Sequence, residues 1–347
     1  MNGYVSYGVE LNPLLHFVAK TKIESWDVTP DNLLKIAQHL SAKKTFEAPD
    51  FLKSEKHFKP KVLRNLEKLK SGIDSFSPTT KEEVKIKNLM LMAFASILID
   101  CSNLKRTPCL GYSHKKVVED NAPFYLFSEK IEEIAEDLLL IKNKYKPSMK
   151  TSSEISLANS MEYKHRAKYD LAITSPPYMN GLDYVINYKI EMGWLGFGQD
   201  HKDLKKLKDE MVVCDNVSKG LIHNFAETNN RYTNDWIEEI KLNIQKNITK
   251  RGSYRRKDMP EIVHKYFDDM HKIMLNVTRS LKSGGRFIQV VGDSLIADVY
   301  LPTDLMLARM GQEMGLTIES IEKARDRRSG QVRTYKLRET IVTLKKG

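Results

Sequence analysis

The sequence predicts an α/β protein, and three features carry that prediction. Short apolar runs of strand character alternate with longer runs of helical period. One of them, Asp170-Leu171-Ala172-Ile173-Thr174, ends in a β-branched residue and stops at Pro176 and Pro177, neither of which can donate to a sheet ladder. A third feature is the helical pattern of residues 260–281, opened by Pro260 and closed by Lys282-Ser283-Gly284-Gly285, with an apolar strand directly behind it. At 347 residues, 41% of them hydrophobic, the chain suits one large domain with insertions or two smaller ones.

The elements follow in order. Residues 4–9 read as a strand, followed by Glu10-Leu11-Asn12-Pro13 and a helical run over 14–22. Residues 30–150 read as mostly helical. A run over 31–44 follows the entry signal Thr29-Pro30-Asp31, and 60–70 is a basic amphipathic stretch. A run over 81–99 opens after Thr79-Thr80 and becomes strongly apolar. Residues 128–144 begin Glu-rich, which suits a helix N-terminus. The Met-rich face of the 81–99 helix reads as core packing.

Strand character resumes over 153–157, and the strand at 170–174 follows after a short connection, as in a right-handed strand–helix–strand unit. Residues 200–257 read as polar and irregular. Beyond the strand at 286–291 and Gly292-Asp293-Ser294, a helix spans 302–315. Residues 316–322 and 339–344 form a final antiparallel pair joined by a basic loop over 325–338.

Net charge is +11, which favours a polyanionic partner, although charge alone does not separate nucleic acid from an acidic membrane. No apolar run reaches membrane-spanning length and no secretory leader is legible. Cys101, Cys109 and Cys214 lack metal-ligand spacing, and the histidines do not cluster. Reduced thiols, no metal and a cytoplasmic location are therefore expected.

The chemistry concentrates at Thr174-Ser175-Pro176-Pro177-Tyr178. A hydroxyl and an aromatic ring are presented at the carboxyl end of a strand, where open α/β sheets bind ligands. Proline pairs also mark ordinary turns, so the weight comes from context. The run resembles the catalytic motif of amino-group DNA methyltransferases, which methylate the exocyclic nitrogen of cytosine or adenine. The continuation through Met179-Asn180-Gly181-Leu182-Asp183-Tyr184 and Tyr188-Lys189-Ile190-Glu191-Met192-Gly193-Trp194 resembles a subset of the same enzymes. A Rossmann-like S-adenosylmethionine-dependent methyltransferase fold is what the resemblance implies.

The exocyclic amine is a poor nucleophile, because its lone pair is delocalised into the ring. The resemblance assigns Ser175, Pro176, Pro177 and Tyr178 as catalytic. The Ser175 hydroxyl and a carbonyl of Ser175-Pro176-Pro177 would accept hydrogen bonds from the amine and stabilise developing charge. Tyr178 would stack on a base extruded from the duplex, with Asp183 and Tyr184 lining its pocket. Ser as the first motif residue is commoner among cytosine-N4 enzymes, so N4 of cytosine is the expected target. Adenine N6 is the alternative, and an RNA target a weaker variant.

Residues 7–14 resemble the cofactor-ribose step of these enzymes. Glu10 would bind the ribose of S-adenosylmethionine, with Asn12 and Pro13 beside the adenine. Asn159, where relatives often carry an acid, and Thr174 complete the expected cofactor contacts. Two basic segments would meet DNA: Arg251, Tyr254, Arg255, Arg256 and Lys257 in one, Arg327 and Arg328 in the other. An isolated basic cluster is also what a solvated charge run looks like.

The family's Gly-rich Asp-Pro-Phe-x-Gly-x-Gly loop, with its strand and helix, has no counterpart here. The fold is accordingly expected to be N-terminally incomplete. Residues 1–28 would start the methyltransferase domain, 29–150 form a helical insertion, and 151–347 form the catalytic part, with 200–258 a DNA-contact region. The missing loop also raises a second class of reading, a DNA-binding or regulatory subunit inactive without a second polypeptide that supplies the Gly-rich loop. A truncated gene product is a further alternative.

Overall fold

The computed structural model describes residues 3–43, 45–53, 55–107, 109–113, 115–145, 151–165, 167–179, 181–214, 217–251, 256–328 and 335–347; the side chains of 249–251 lie outside this description. The chain forms two compact units, Met1–Ala158 with Tyr184–Leu207, and Asn159–Asp183 with Lys208–Gly347.

The first unit opens with β1 (Ser6–Glu10) and α1 (Pro13–Glu24). Asn12 caps α1, its side-chain oxygen accepting from the amides of Leu14 (3.0 Å) and Leu15 (3.4 Å), and Pro13 occupies the first turn, where its missing N–H costs nothing. The helices α2 (Pro30–Gln38), α3 (Pro60–Ser75) and α4 (Lys81–Ile97) follow, then the hairpin β2 (Leu104–Arg106) and β3 (Leu110–Tyr112), and then α5 (Ala122–Tyr145). A capping box of Thr80 and Glu83 starts α4. β4 (Ser153–Leu157) returns to pair with β1 in parallel, Glu10 opposite Leu157.

The expected strand at 153–157 is present. It belongs to the compact unit that holds residues 1–28 and the helical block. Short helices α6 (Tyr184–Asn187) and α7 (Lys189–Trp194) complete this unit. The Trp194 indole lies in the helical core with Leu33, Leu52, Leu66, Ile86 and Phe94.

The second unit begins with β5 (Tyr169–Thr174). The chain re-enters it within α8 (His201–Glu210) and continues through α9 (Lys219–Glu227), α10 (Asp235–Arg251) and α11 (Met259–Ser280). The 200–257 region is thus largely helical, not irregular. The helices α8, α9 and α10 each bury only a narrow apolar stripe, such as Ile222 and Phe225 in α9, which a polar average conceals.

After α11 come β6 (Leu281–Gly292), the small hairpin β7 (Ser294–Ile296) and β8 (Val299–Leu301), α12 (Thr303–Glu313), β9 (Leu316–Arg328) and β10 (Lys336–Lys346). The main sheet has the order β5-β6-β10-β9, with β5 and β6 parallel and the other pairs antiparallel. The antiparallel pair expected at the C-terminus is present but much longer. Arg325–Arg328 and Lys336–Arg338 are strand, where a loop was expected, because β9 is an edge strand that can carry charge outward on alternate residues. The unit's core lies among α11, α12 and the sheet, with Ile262, Tyr266, Phe267, Met270, Phe287 and Leu307 fully buried.

One buried histidine is expected to make this unit acid-sensitive. His264 on α11 has its Nε2 2.8 Å from the Tyr232 carbonyl and its Nδ1 3.2 Å from Lys241 Nζ, the pattern of a neutral ring that donates at one nitrogen and accepts at the other. Burial is the main cause holding its pKa below the ordinary histidine value. Lys241 and Arg231 push it the same way, against the Tyr232 bond and Glu261. Its contribution to stability is therefore complete above about pH 6.5 and is lost as pH falls through the lowered value, since the unfolded chain takes the proton first. Thermal melts are expected to show stability falling below about pH 6.5, with the slope reduced in His264→Gln.

Candidate functional site at the end of β5

β5 stops where the two prolines stop it. Ser175 is exposed, Pro176 buried, and Pro177 and Tyr178 half-buried. The Tyr266 hydroxyl, from the fully buried face of α11, donates to the Pro177 carbonyl at 3.0 Å and pins the loop to the core. That carbonyl is therefore already taken by the protein. A turn follows in which Gly181 N donates to Tyr178 O at 2.8 Å, and a Cβ at Gly181 would come within 2.7 Å of the same oxygen.

Tyr178 is held on several sides. The Arg327 guanidinium stacks over its ring, 4.4 Å from the centroid. The Glu339 carboxylate and the Ser175 hydroxyl lie near its hydroxyl. Burial first, and then the Glu339 charge, push the phenol above its usual pKa. Glu339 is held below the usual carboxylate range, chiefly by Arg325, which forms a two-toothed bridge to it at 2.9 and 3.0 Å. Gly292, opposite Glu339 in the β6–β10 ladder, leaves the space that the Arg327 Nη1 nitrogen fills. Sequence reasoning missed Glu339, Arg325 and Tyr266. The signal for the hairpin pair was there, since Arg325 and Arg327 are two apart and so share one face of a strand.

Beside this loop lie buried polar groups. Gln289, paired in register with Thr174, is fully buried, and neither of its amide atoms has a hydrogen-bond partner among the described residues. Asp293 and Asp304 are fully buried and share Arg338, which reaches them at 3.0 and 3.1 Å. Burial and the neighbouring Asp293 charge raise the pKa of Asp304.

The other expected site residues fall as follows. Glu10 sits at the carboxyl end of β1 in the first unit, its Oε1 accepting from Asn12 N at 2.7 Å. Burial raises its pKa, partly offset by the amides of Asn12 and Leu11 and by His16. Tyr184 belongs to the same unit, and burial, Tyr188 and the Glu10 charge raise its pKa. Asn12 is fully buried and committed to capping α1, which differs from a side chain offered to an adenine. In the second unit, Asn159 is turned onto Met161 N (2.9 Å) and Glu210 O (3.1 Å), and Asp183 is paired with Lys208 at 2.7 Å.

Among the basic residues, Lys257 and Arg328 are exposed. Arg256 is tied to Asp258 and to the Val217 carbonyl, and Arg327 is folded onto Tyr178. Tyr254 and Arg255 lie outside the described residues, as does the side chain of Arg251. Three groups or more of metal-ligating type do not converge among the described residues, and no described helix is long and apolar enough to cross a membrane.

Fold and site together define a mixed α/β protein with a proline-braced serine and tyrosine at a strand end. The chain is similar to curated Type II methyltransferases. It is 30% identical over 155 residues to M.AvaI of Nostoc sp., 44% of this chain and 32% of that protein. It is 26% identical over 221 residues to M.BsoBI of Geobacillus stearothermophilus, 58% of this chain and 43% of that protein. With M.MvaI of Kocuria varians it shares 20% identity over 345 residues, 89% of this chain and 70% of that protein. The matches thus span about a third to two-fifths of the first two relatives. The mixed α/β architecture fits a methyltransferase fold. No family model matches the chain, and no solved structure does.

Proposed function

We propose that this chain is the catalytic part of a DNA methyltransferase of a restriction–modification system, one that transfers a methyl group from S-adenosylmethionine to the exocyclic N4 of cytosine. The observation that carries this reading is the Ser175–Tyr178 loop, with an exposed hydroxyl and a braced aromatic ring at the end of a parallel strand. Similarity to Type II methyltransferases supports it.

In this reading the Ser175 hydroxyl and the carbonyls of Ser175 and Pro176 accept hydrogen bonds from the target amine, drawing its lone pair out of the ring as charge develops. The Pro177 carbonyl acts by fixing the loop through Tyr266. Tyr178 stacks on the extruded base. Lys257 and Arg328, both exposed, would neutralise phosphates.

S-adenosylmethionine, when bound, supplies an electrophilic methyl group. Glu10 fits it: a half-buried carboxylate at the end of a parallel strand can accept from a ribose diol. Pro13 opens the helix that follows β1, and Thr174 ends β5. Asn12 and Asn159 support the local backbone through the bonds described above.

A second reading is favoured by one observation. Among the described residues β5 is the end strand of its sheet, and two apolar side chains on one of its faces, Leu171 and Ile173, are 47% and 67% exposed. An open edge and an uncovered apolar face suit an added strand and helix. The Gly-rich cofactor segment, carried on a separate polypeptide, would provide them, and this chain would then be one part of a split enzyme.

Nucleoside mass spectrometry of DNA from cells expressing the chain, alone and with the polypeptide encoded beside it, tests both. N4-methylcytosine is expected, and it disappears in Ser175→Ala. N6-methyladenine would instead select the alternative base. Methylation only in the co-expressed cells would select the split enzyme, and no methylated base under either condition would overturn the assignment.

A further inference from the structure

The β9–β10 hairpin reaches the proposed catalytic loop through two side chains. We propose that Glu339 and Arg327 are positioning residues that hold Tyr178 as a fixed stacking platform. The proposal rests on the reading of Tyr178 as the group that receives the extruded base.

Four observations carry it. A guanidinium plane lies over one face of the ring, 4.4 Å from its centroid. The Glu339 carboxylate lies near the phenol end of the ring and 3.8 Å from the Arg327 Nε, so it faces both the tip of the ring and the arginine that covers it. Glu339 is itself fixed by the two-toothed bridge from Arg325, directly opposite it in the β9–β10 register. Arg327 is seated in a slot made by glycine: a Cβ at Gly292 would lie 2.1 Å from its Nη1 and 3.0 Å from Cε2 of Tyr178.

The bonding of Arg327 argues against simple structural glue. Its Nη1 is buried and has no hydrogen-bond partner among the described residues, while its Nε is 3.8 Å from Glu339. An arginine retained for stability would be expected to use its five donors. This one leaves a buried nitrogen unpaired among the described residues while it covers an aromatic face. The contacts run from Tyr178 through Arg327 and Glu339 to Arg325, so the ring assigned to chemistry sits at the end of one charged network.

A ring already held in place meets a base without first finding its orientation, which is where positioning contributes to rate. Loosening it should lower turnover more than affinity. With unmethylated bacteriophage DNA as acceptor, Arg327→Ala, Glu339→Gln and Gly292→Ala are each expected to lower kcat by about 10- to 100-fold, with KM for DNA within about threefold. Arg327→Ala combined with Tyr178→Ala should lose no more than Tyr178→Ala alone, because the arginine acts through the ring.

A second readout needs no turnover. With ¹³Cζ-labelled tyrosine, and the Tyr178 signal assigned by its loss in Tyr178→Phe, Glu339→Gln should lower the phenol's titration point. Arg327→Ala should raise it, since the two charges act on it with opposite sign. Additive losses in the double variant, or a titration point indifferent to both changes, would overturn the proposal. If Tyr178→Ala itself leaves methyl transfer intact, the reading of the site fails and the proposal with it. A damaging Tyr178→Ala beside harmless Arg327 and Glu339 variants would sink only the proposal.

Discussion

Ser175→Ala should lower methyl transfer by about 10²- to 10³-fold, the usual loss when one preorganised transition-state hydrogen bond is removed. Tyr178→Ala should cost about 1–3 kcal/mol of base stacking, roughly 5- to 150-fold. Neither change should alter DNA affinity by more than about twofold, because affinity comes mainly from phosphate contacts. Lys257→Ala with Arg328→Ala should do the reverse, weakening binding and reducing the slope of log affinity against log salt by about 0.9 per lost contact. Both residues are exposed, so the two sets separate chemistry from attraction. Steady-state kinetics beside a salt titration of binding checks this. Equal binding losses from both sets would remove the catalytic assignment.

The largest effect on stability is expected at Trp194. Its ring is fully buried among Phe46, Phe58 and Phe94, with centroids 5.5, 5.9 and 5.5 Å away. Trp194→Ala leaves a large cavity that rigid helices cannot close, and should destabilise the first unit by about 3–5 kcal/mol. Trp194→Phe should cost much less. It keeps most of the aromatic packing and removes an indole N–H that is buried with no hydrogen-bond partner among the described residues, a defect itself worth about 1–3 kcal/mol. Urea unfolding followed by circular dichroism gives the energies. Hydrogen exchange should show lost protection in α3, α4 and α7, which contribute to that core. A Trp194→Phe variant as unstable as Trp194→Ala would contradict the packing account.

Much of the chain was legible wherever one physical signal dominated. The strand at 153–157 and the helix at Met259–Ser280 were readable from apolar period and proline placement. The same holds for the strand-end loop of Ser175 to Tyr178, because two prolines leave a strand no choice but to stop. The helices α8 to α10 were not legible. Their buried residues are few and well separated, as with Leu204 in α8 and Ile237, Ile244 and Ile248 around α10, so polarity hid the period. The long β9–β10 hairpin was hidden in the same way, since charged residues on an edge strand resemble a loop.

What the sequence alone determined about this protein is local: which segments take helix or strand period, where they must end, and that a serine and a tyrosine are offered at a strand's end. Only the tertiary structure decided which strands pair, because β1 meets β4 across nearly the whole helical block and β6 lies between β5 and β10. It also decided that Arg325, Arg327 and Glu339, far along the chain from Tyr178, close around its ring. The pairing and register of β1 with β4 and of β5 with β6 depend on contacts between residues more than a hundred positions apart, whose free energy is not written in the period of either segment.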